Sequence, residues 1–348
     1  MRMNVPDARH DPIAAVTGWT LTGAAADPGT RLGTHTRGTC PPSAGSELVL
    51  DLRTAAGRPV RLLARAIAGG TWKLTLVPDG AEPPGPNPML TPKAPRSGPA
   101  AAPVRLTGKV KGGRLLVSGP ELALEIRLEP FGFRFLDDGG RAVLADNPGD
   151  DDGLGRPAVP PLGSFGGSGG ARSVAASFHL HPGERIYGLG EKFTRLDKAG
   201  GRFVSWTVDA LGSTSERSHK NVPFLWSSRG FGLFLATGAR ITWDLGMTSL
   251  QSWTFEAEAP AVEMYVFHGP RPEKILAAFT ALTGRTPAVP DWSFGLWLSS
   301  SGTYRDQASI EALLDGIVRH RLPADVVHID PWWMCWRRYC DFEWDRAA

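Results

Sequence analysis

The sequence predicts a mainly β protein: a β-sandwich followed by one strand–helix–strand segment with parallel pairing. Three observations predict it. Between Glu47 and Phe135, short runs alternate apolar and polar residues and are separated by turn-type pairs such as Asp79-Gly80 and Gly112-Gly113, the pattern of antiparallel strands. A convincing helical period first occurs at residues 271–284. Beyond Pro290 the pattern becomes strand, helix, strand, a βαβ unit that implies parallel pairing.

A chain of 348 residues exceeds one average domain, so two units are expected. With 42% hydrophobic and 21% charged residues it can bury a core. The net charge of +3 and the absence of a basic run argue against a nucleic-acid partner. Its apolar runs fall short of the ~20 residues that span a bilayer, so no membrane partner is expected. Met1 to Asp7 do not lead into an apolar signal segment, and a cytoplasmic location is the expectation. Cys40, Cys335 and Cys340 fit a reducing compartment. The Cys335/Cys340 spacing has no second ligand pair to complete a zinc site, so no metal or other cofactor is expected. Homo-oligomerisation is left open.

Residues 1–45 are rich in Gly, Ala, Thr and Pro without sustained periodicity and read as a loose arm. The β-sandwich is assigned to 46–288. Its strands are expected at Glu47–Arg53, Val60–Ile67, Trp72–Val77, Arg114–Val117, Leu122–Leu128 and Phe131–Phe135, the last turning at Asp137-Asp138-Gly139-Gly140. The Pro-rich residues 81–103 and the linker-like Gly163–Gly170 read as surface insertions. Asp150-Asp151-Asp152 lacks the calcium-loop order and reads as an acidic turn. His179 and His181 share one face of a strand and read as solvated side chains. Tyr187-Gly188-Leu189-Gly190-Glu191 contains a Gly-x-Gly but no third glycine and no surrounding βαβ unit, against a phosphate loop. Further strands follow at 232–235, 241–245 and 264–267, and Asp209 stands in a polar loop between apolar strands, free to reach outward.

In the helix at 271–284, Pro272 suits the first position, Ile275, Leu276, Phe279 and Leu282 share one face, and Gly284 can terminate it. Residues 289–348 hold the βαβ segment. Ser293–Leu298 and Val326–Ile329 read as buried strands, and Asp306 caps the helix carrying Ile310, Leu313, Leu314, Ile317 and Val318. In a parallel barrel, functional side chains project from the carboxyl ends of strands. Asp330 holds that place on the second strand and Ser299, Ser300 and Ser301 on the first. Trp332, Trp333, Trp336 and Trp344 can stack on the apolar faces of pyranose rings while carboxylates accept hydrogen bonds from sugar hydroxyls; packing of these rings as core is the competing reading.

These segments resemble glycoside hydrolase family 31. The resemblance is carried by Tyr187–Glu191, Trp206–Asp209, Lys220-Asn221-Val222-Pro223-Phe224, Trp292–Trp297, His328-Ile329-Asp330 and Cys340-Asp341-Phe342-Glu343-Trp344-Asp345, in that order, from about residue 183 to 345. It implies a galactose-mutarotase-like β-sandwich followed by a (β/α)8 TIM barrel. It also implies retaining hydrolysis of α-linked glucosides or xylosides, with an α-linked oligosaccharide or glycoside as ligand. Asp209 matches the sandwich-loop acid that reaches into the barrel mouth, and Asp330 the acid that holds hydroxyls of the sugar in the −1 subsite; Trp332 is the stacking candidate beside it.

Lys220-Asn221 and Cys340–Trp344 lean toward the α-xylosidase-like branch. Against that, the Ser299–Tyr304 loop is one residue shorter and lacks the aromatic that narrows the subsite, and Pro331 stands where xylosidases can have Cys. The family's two reacting aspartates belong to later barrel strands. Roughly 60 residues follow Pro290 where a barrel takes ~250, so the expectation is a fragment, an incomplete barrel whose strand edges and apolar faces remain open and to which no catalytic residue is assigned. A carbohydrate-binding sandwich without catalysis and a structural or assembly domain stand as alternatives.

Overall fold

The alternating runs predicted between Glu47 and Phe135 all form strands, whereas His179 ends a strand and His181 lies beyond it. The computed structural model describes residues 9–22, 43–91, 104–147, 159–167, 170–210, 212, 215–299, 306–330, 333–335, 338 and 340–346. In chain order the strands begin with β1 (Arg9–Thr22), β2 (Ser43–Gly45), β3 (Glu47–Thr54), β4 (Pro59–Ala68), β5 (Thr71–Pro78), β6 (Leu106–Lys111) and β7 (Arg114–Ser118). They continue with β8 (Leu122–Leu128), β9 (Phe131–Asp137), β10 (Ala142–Ala145), β11 (Gly163–Gly167), β12 (Gly170–His179), β13 (Ile186–Gly188) and β14 (Arg202–Ser205). β15 (Phe224–Ser227), β16 (Phe231–Leu235), β17 (Ile241–Asp244), β18 (Ser252–Ala257), β19 (Val262–His268) and helix α1 (Pro272–Thr283) complete the first of two units, Met1–Gly284.

Two antiparallel arrays make up this unit. One has thirteen strands in the order β13-β15-β16-β19-β5-β4-β3-β1-β11-β12-β18-β17-β14, the other six in the order β10-β9-β8-β7-β6-β2. Trp72 of β5 meets Phe135 of β9 edge-on at 5.9 Å, and Phe133 of β9 meets Phe178 of β12 at 6.1 Å, so the six-stranded array packs on both halves of the larger one. Trp72, Trp243 and Trp253 are fully buried between them, each side chain of this kind contributing roughly 1.5–3 kcal/mol of apolar burial.

The loose-arm expectation for 1–45 is corrected by β1. Arg9–Pro12 pair with β11 and Ile13–Thr22 with β3, so this strand joins the two halves of the large sheet. Register shifts between Ile13 and Ala15 and between Val16 and Gly18 put the buried residues at 11, 13, 16, 19 and 21. Such bulges add unpaired residues and break strict alternation, which hides the strand from a period-2 reading. Residues 23–42, with Cys40, lie outside the described residues.

The linker-like Gly163–Gly170 is likewise corrected: Gly163–Gly167 form β11, paired with β1 and β12. A Cβ on Gly163 would come within 2.5 Å of the Asp11 carbonyl oxygen, so glycine here permits close strand approach rather than flexibility. Asp150–Asp152 lie outside the described residues.

Helix α1 starts with Pro272 at its first turn and ends at Gly284, whose φ is 115°. It covers the outer side of the sheet with Ile275 and Leu282 buried, and Phe279 stacks on Phe224 at 4.0 Å. Leu276, expected on that face, is exposed.

The second unit, Arg285–Ala348, contains a 3-10 turn at Asp291–Phe294, β20 (Leu296–Ser299), α2 (Gln307–His320) and β21 (Ala324–His328), with β20 and β21 parallel. Asp306 caps α2: its side chain accepts from the Ser309 N–H at 2.8 Å, and Arg321 ends it in the left-handed region at φ 53°. The reading of these two strands as buried is corrected, in favour of the open apolar faces expected of an incomplete barrel. Ser293 and Phe294 belong to the turn, and Leu296 and Trp297 are about half exposed, because one helix and two strands cannot cover both faces of a sheet. No helix among the described residues is long and apolar enough to cross a membrane.

Candidate functional site

The Asp209 loop leaves the edge strand β14 and returns to β15. Its base is locked from the Tyr187–Glu191 side. Leu189 N–H donates to the Phe224 carbonyl at 2.8 Å and Glu191 N–H to the Lys220 carbonyl at 2.9 Å. Gly188 and Gly190 have φ of 115° and 79°. A Cβ on Gly188 would lie 2.5 Å from the Phe224 oxygen; one on Gly190 would lie 2.7 Å from Val222 N and closer still to the Lys220 oxygen. The Gly-x-Gly therefore serves backbone packing. Lys192, fully covered, donates to the Val204 carbonyl at 2.6 Å and pairs with Glu216 at 2.8 Å, tying both arms of the loop to the sheet.

From this base Asp209 projects into solvent with 82% of its side chain exposed, and its Oδ1 lies 2.9 Å from His219 Nε2 across the loop. Its other oxygen has no hydrogen-bond partner among the described residues. Beside the loop base a cavity of about 310 Å³ is lined by Trp206, Thr207 and Asn221, among others. Asn221 Oδ1 is buried and accepts no hydrogen bond among the described residues, while its Nδ2 donates to the Ser218 carbonyl at 2.9 Å. An unused acceptor beside a half-exposed indole suits a hydroxylated ring. Sequence reasoning noted Trp206 and Asn221 only as part of the resemblance and missed His219 altogether.

In the second unit the parallel register sets Ser299 opposite His328, which places both at the carboxyl ends of their strands, next to Asp330. Ser299 Oγ donates to Asp330 Oδ2 at 3.1 Å and lies 3.1 Å from His328 Nδ1; the same nitrogen is 3.6 Å from Asp330 Oδ1. Serine and carboxylate thus share one imidazole nitrogen. A hydrolytic relay needs them on opposite nitrogens, so this cluster orients Asp330 rather than activating Ser299. Asp330 keeps a quarter of its side chain exposed, enough to accept hydrogen bonds from an incoming hydroxyl.

Around it, Trp333 and Trp344 meet at 4.8 Å, Asp345 N–H donates to the Trp333 carbonyl at 2.8 Å, and Arg338 pairs with Asp341 at 3.2 Å. Trp344 is largely exposed and Met334 is buried. Trp332, Trp336, Ser300, Ser301 and Pro331 lie outside the described residues. Asp209 belongs to the first unit and Asp330 to the second, each with its own partners. No group of three or more His, Cys, Asp or Glu among the described residues is placed to hold a metal ion.

Residues 61–244 match the glycosyl hydrolase 31 N-terminal galactose mutarotase-like domain, and residues 286–348 match the glycosyl hydrolases family 31 TIM-barrel domain. The chain belongs to glycoside hydrolase family 31. Within the family it is 38% identical over 165 residues to the α-xylosidase XylQ of Lactiplantibacillus pentosus, which covers 47% of this chain and 21% of that protein. It is 37% identical over 171 residues to an α-xylosidase of Emericella nidulans, covering 49% and 22%. The chain thus spans about a fifth of the length of the curated relatives it matches.

Among solved structures it superposes on the cycloalternan-forming enzyme from Listeria monocytogenes with a TM-score of 0.70 at 16% identity, covering 92% of this chain and 27% of that one. On the α-xylosidase from a soil metagenome the TM-score is 0.61 at 20% identity, covering 81% and 40%. At these identities the superpositions establish the fold, which is the mainly β, mutarotase-like architecture that the family resemblance implies.

Proposed function

We propose that this chain forms the sandwich and first barrel segment of a retaining α-glycosidase for α-linked xylosides or glucosides, with Asp209 and Asp330 as hydroxyl-binding carboxylates. The observation that carries the reading is Asp330 itself. It stands at the carboxyl end of a parallel strand, where barrel enzymes place functional groups, oriented by Ser299 and still open to solvent. Relatives named α-xylosidase and α-glucosidase support the substrate class, as does a family α-xylosidase complexed with xylose. Trp332 is assigned the stacking role from sequence alone.

Retaining hydrolysis requires two carboxyls about 5–5.5 Å apart, one as nucleophile and one as acid/base. Neither role is assigned to any of these 348 residues. Asp330, hydrogen-bonded by Ser299 and served by His328, binds and orients the sugar. A titration of the chain with methyl α-D-xylopyranoside and methyl α-D-glucopyranoside, followed by NMR, tests the assignment. Hydrogen bonds to a charged group contribute about 1.5–3 kcal/mol, so Asp330→Ala weakens the binding read at the amides beside Asp330 by roughly 10- to 100-fold; equal affinity there in wild type and variant refutes it.

A further inference from the structure

The thirteen-stranded sheet carries a second polar surface that the Asp209 and Asp330 loops do not use. Strand β18 turns Trp253, Phe255 and Ala257 into the core, which sends Thr254 and Glu256 to the opposite face. By the same alternation β17 buries Trp243 and sends out Thr242, and β14 buries Phe203 and sends out Arg202. These outward residues border a cavity of about 520 Å³, within the roughly 300–1,000 Å³ of small-molecule sites. His10 of β1 and Phe165 of β11, with ring centroids 4.7 Å apart, form an aromatic wall.

The chemistry of the lining selects a ligand class. Thr242 and Thr254 are partly exposed, and neither hydroxyl bonds another side chain among the described residues. Glu256 accepts from Ser173 Oγ at 2.9 Å through one oxygen, and the other has no hydrogen-bond partner among the described residues. Asp244 is committed to its own turn, accepting from Met247 N–H, Thr248 N–H and the Thr248 hydroxyl, but its charge remains at the cavity. Burial pushes the His10 imidazole down to about 4, so it is uncharged at neutral pH. Among the described lining residues the carboxylates of Asp244 and Glu256 outnumber the guanidinium of Arg202, and Arg240, which also acts on Glu256, is paired with Glu258, a balance that disfavours phosphates and other anions. Donors and acceptors on adjacent strands, ~4.8 Å apart, fit the scale of a sugar ring, and the Phe165 face suits its apolar side.

We propose that this cavity is a second carbohydrate-binding site, for a neutral pyranose, built from Arg202, Thr242, Thr254 and Glu256 with Phe165 as the stacking surface. It rests on the cavity's own residues and is independent of the roles given to Asp209 and Asp330.

The test is an amide NMR titration of the full chain with methyl α-D-xylopyranoside and methyl α-D-glucopyranoside, with inorganic phosphate as the anionic probe. Saturable shifts at Thr242, Thr254 and Glu256 are expected with at least one sugar and not with phosphate. They persist in the Asp209→Ala/Asp330→Ala double variant and weaken at least 10-fold in Thr254→Trp, which fills the cavity, and in Arg202→Ala, an exposed position whose change leaves the fold intact by circular dichroism. The proposal is overturned if neither sugar shifts these amides, if phosphate shifts them equally, if the double variant abolishes the shifts, or if Arg202→Ala leaves the affinity unchanged.

Discussion

Replacing Trp19 by alanine tests whether β1 is an integral strand. Trp19 is 7% exposed, sits opposite Leu50 in the β1–β3 pairing, and belongs to the main core. Truncating a buried Trp costs about 3–5 kcal/mol in lost transfer energy and residual cavity. At about 2.1 cal/mol/K per residue, the first unit has an unfolding entropy of roughly 0.6 kcal/mol/K, so Tm should fall by roughly 5–8 °C. Differential scanning calorimetry reads this directly, with Ala14→Ser on the exposed face of the same strand as the control. A shift below about 1 °C for Trp19→Ala would mean that residues 9–22 do not pack as a strand, and the joining of the two sheet halves through β1 would fall with it.

Gly190→Ala should destabilise the first unit by at least about 1–2 kcal/mol from the left-handed backbone alone, with more from the collision with the 220–222 segment; an unchanged urea midpoint would contradict that packing. Burial raises the Asp146 carboxyl to about 6, although the Phe133 N–H and Arg127 both favour its charge. Its folded pKa exceeds its unfolded one, so it stabilises the fold when protonated, and stability falls as pH rises from about 4 to 6. At about 1.4 kcal/mol per unit this is roughly 3 kcal/mol at most, and Asp146→Asn should flatten the stability profile across that window. Asp306 is the opposite case: the Ser309 N–H and hydroxyl lower its pKa. Its capping contribution is present above the unfolded carboxylate pKa of about 4 and is lost as pH falls through the lower folded value. Amide exchange at the start of α2 should therefore accelerate at acid pH, and Asp306→Ala should abolish that dependence.

The strands from β3 to β9, β6 excepted, were legible because their side chains alternate between a dense core and solvent, as in the Leu122–Leu128 run. β1 was not, because two bulges interrupt its period, and β11 was not, because glycine content there serves close strand approach. The apolar runs of β20 and β21 suggest burial in a layered environment, but two strands and one helix do not supply it, and the open faces are those the shortage of residues for a barrel implies. For the candidate site, Asp209 and Asp330 could be named from motif order and strand position. Their partners His219, Ser299 and His328 follow from loop closure and parallel register, which local sequence does not specify. The cavity on the outer sheet face draws on five strands far apart in sequence, of which only β17 was read from the sequence, so nothing local announced it.

The most direct test of the central claim is a turnover assay of the purified 348-residue chain on aryl α-xylosides and α-glucosides. If Asp330 holds sugar hydroxyls and no residue of this chain performs the displacement, wild type and Asp330→Ala both release aglycone at the uncatalysed rate while methyl glycoside binding read at the amides beside Asp330 weakens roughly 10- to 100-fold in the variant. Release well above background that disappears in Asp330→Ala would make Asp330 a reacting group and contradict the account.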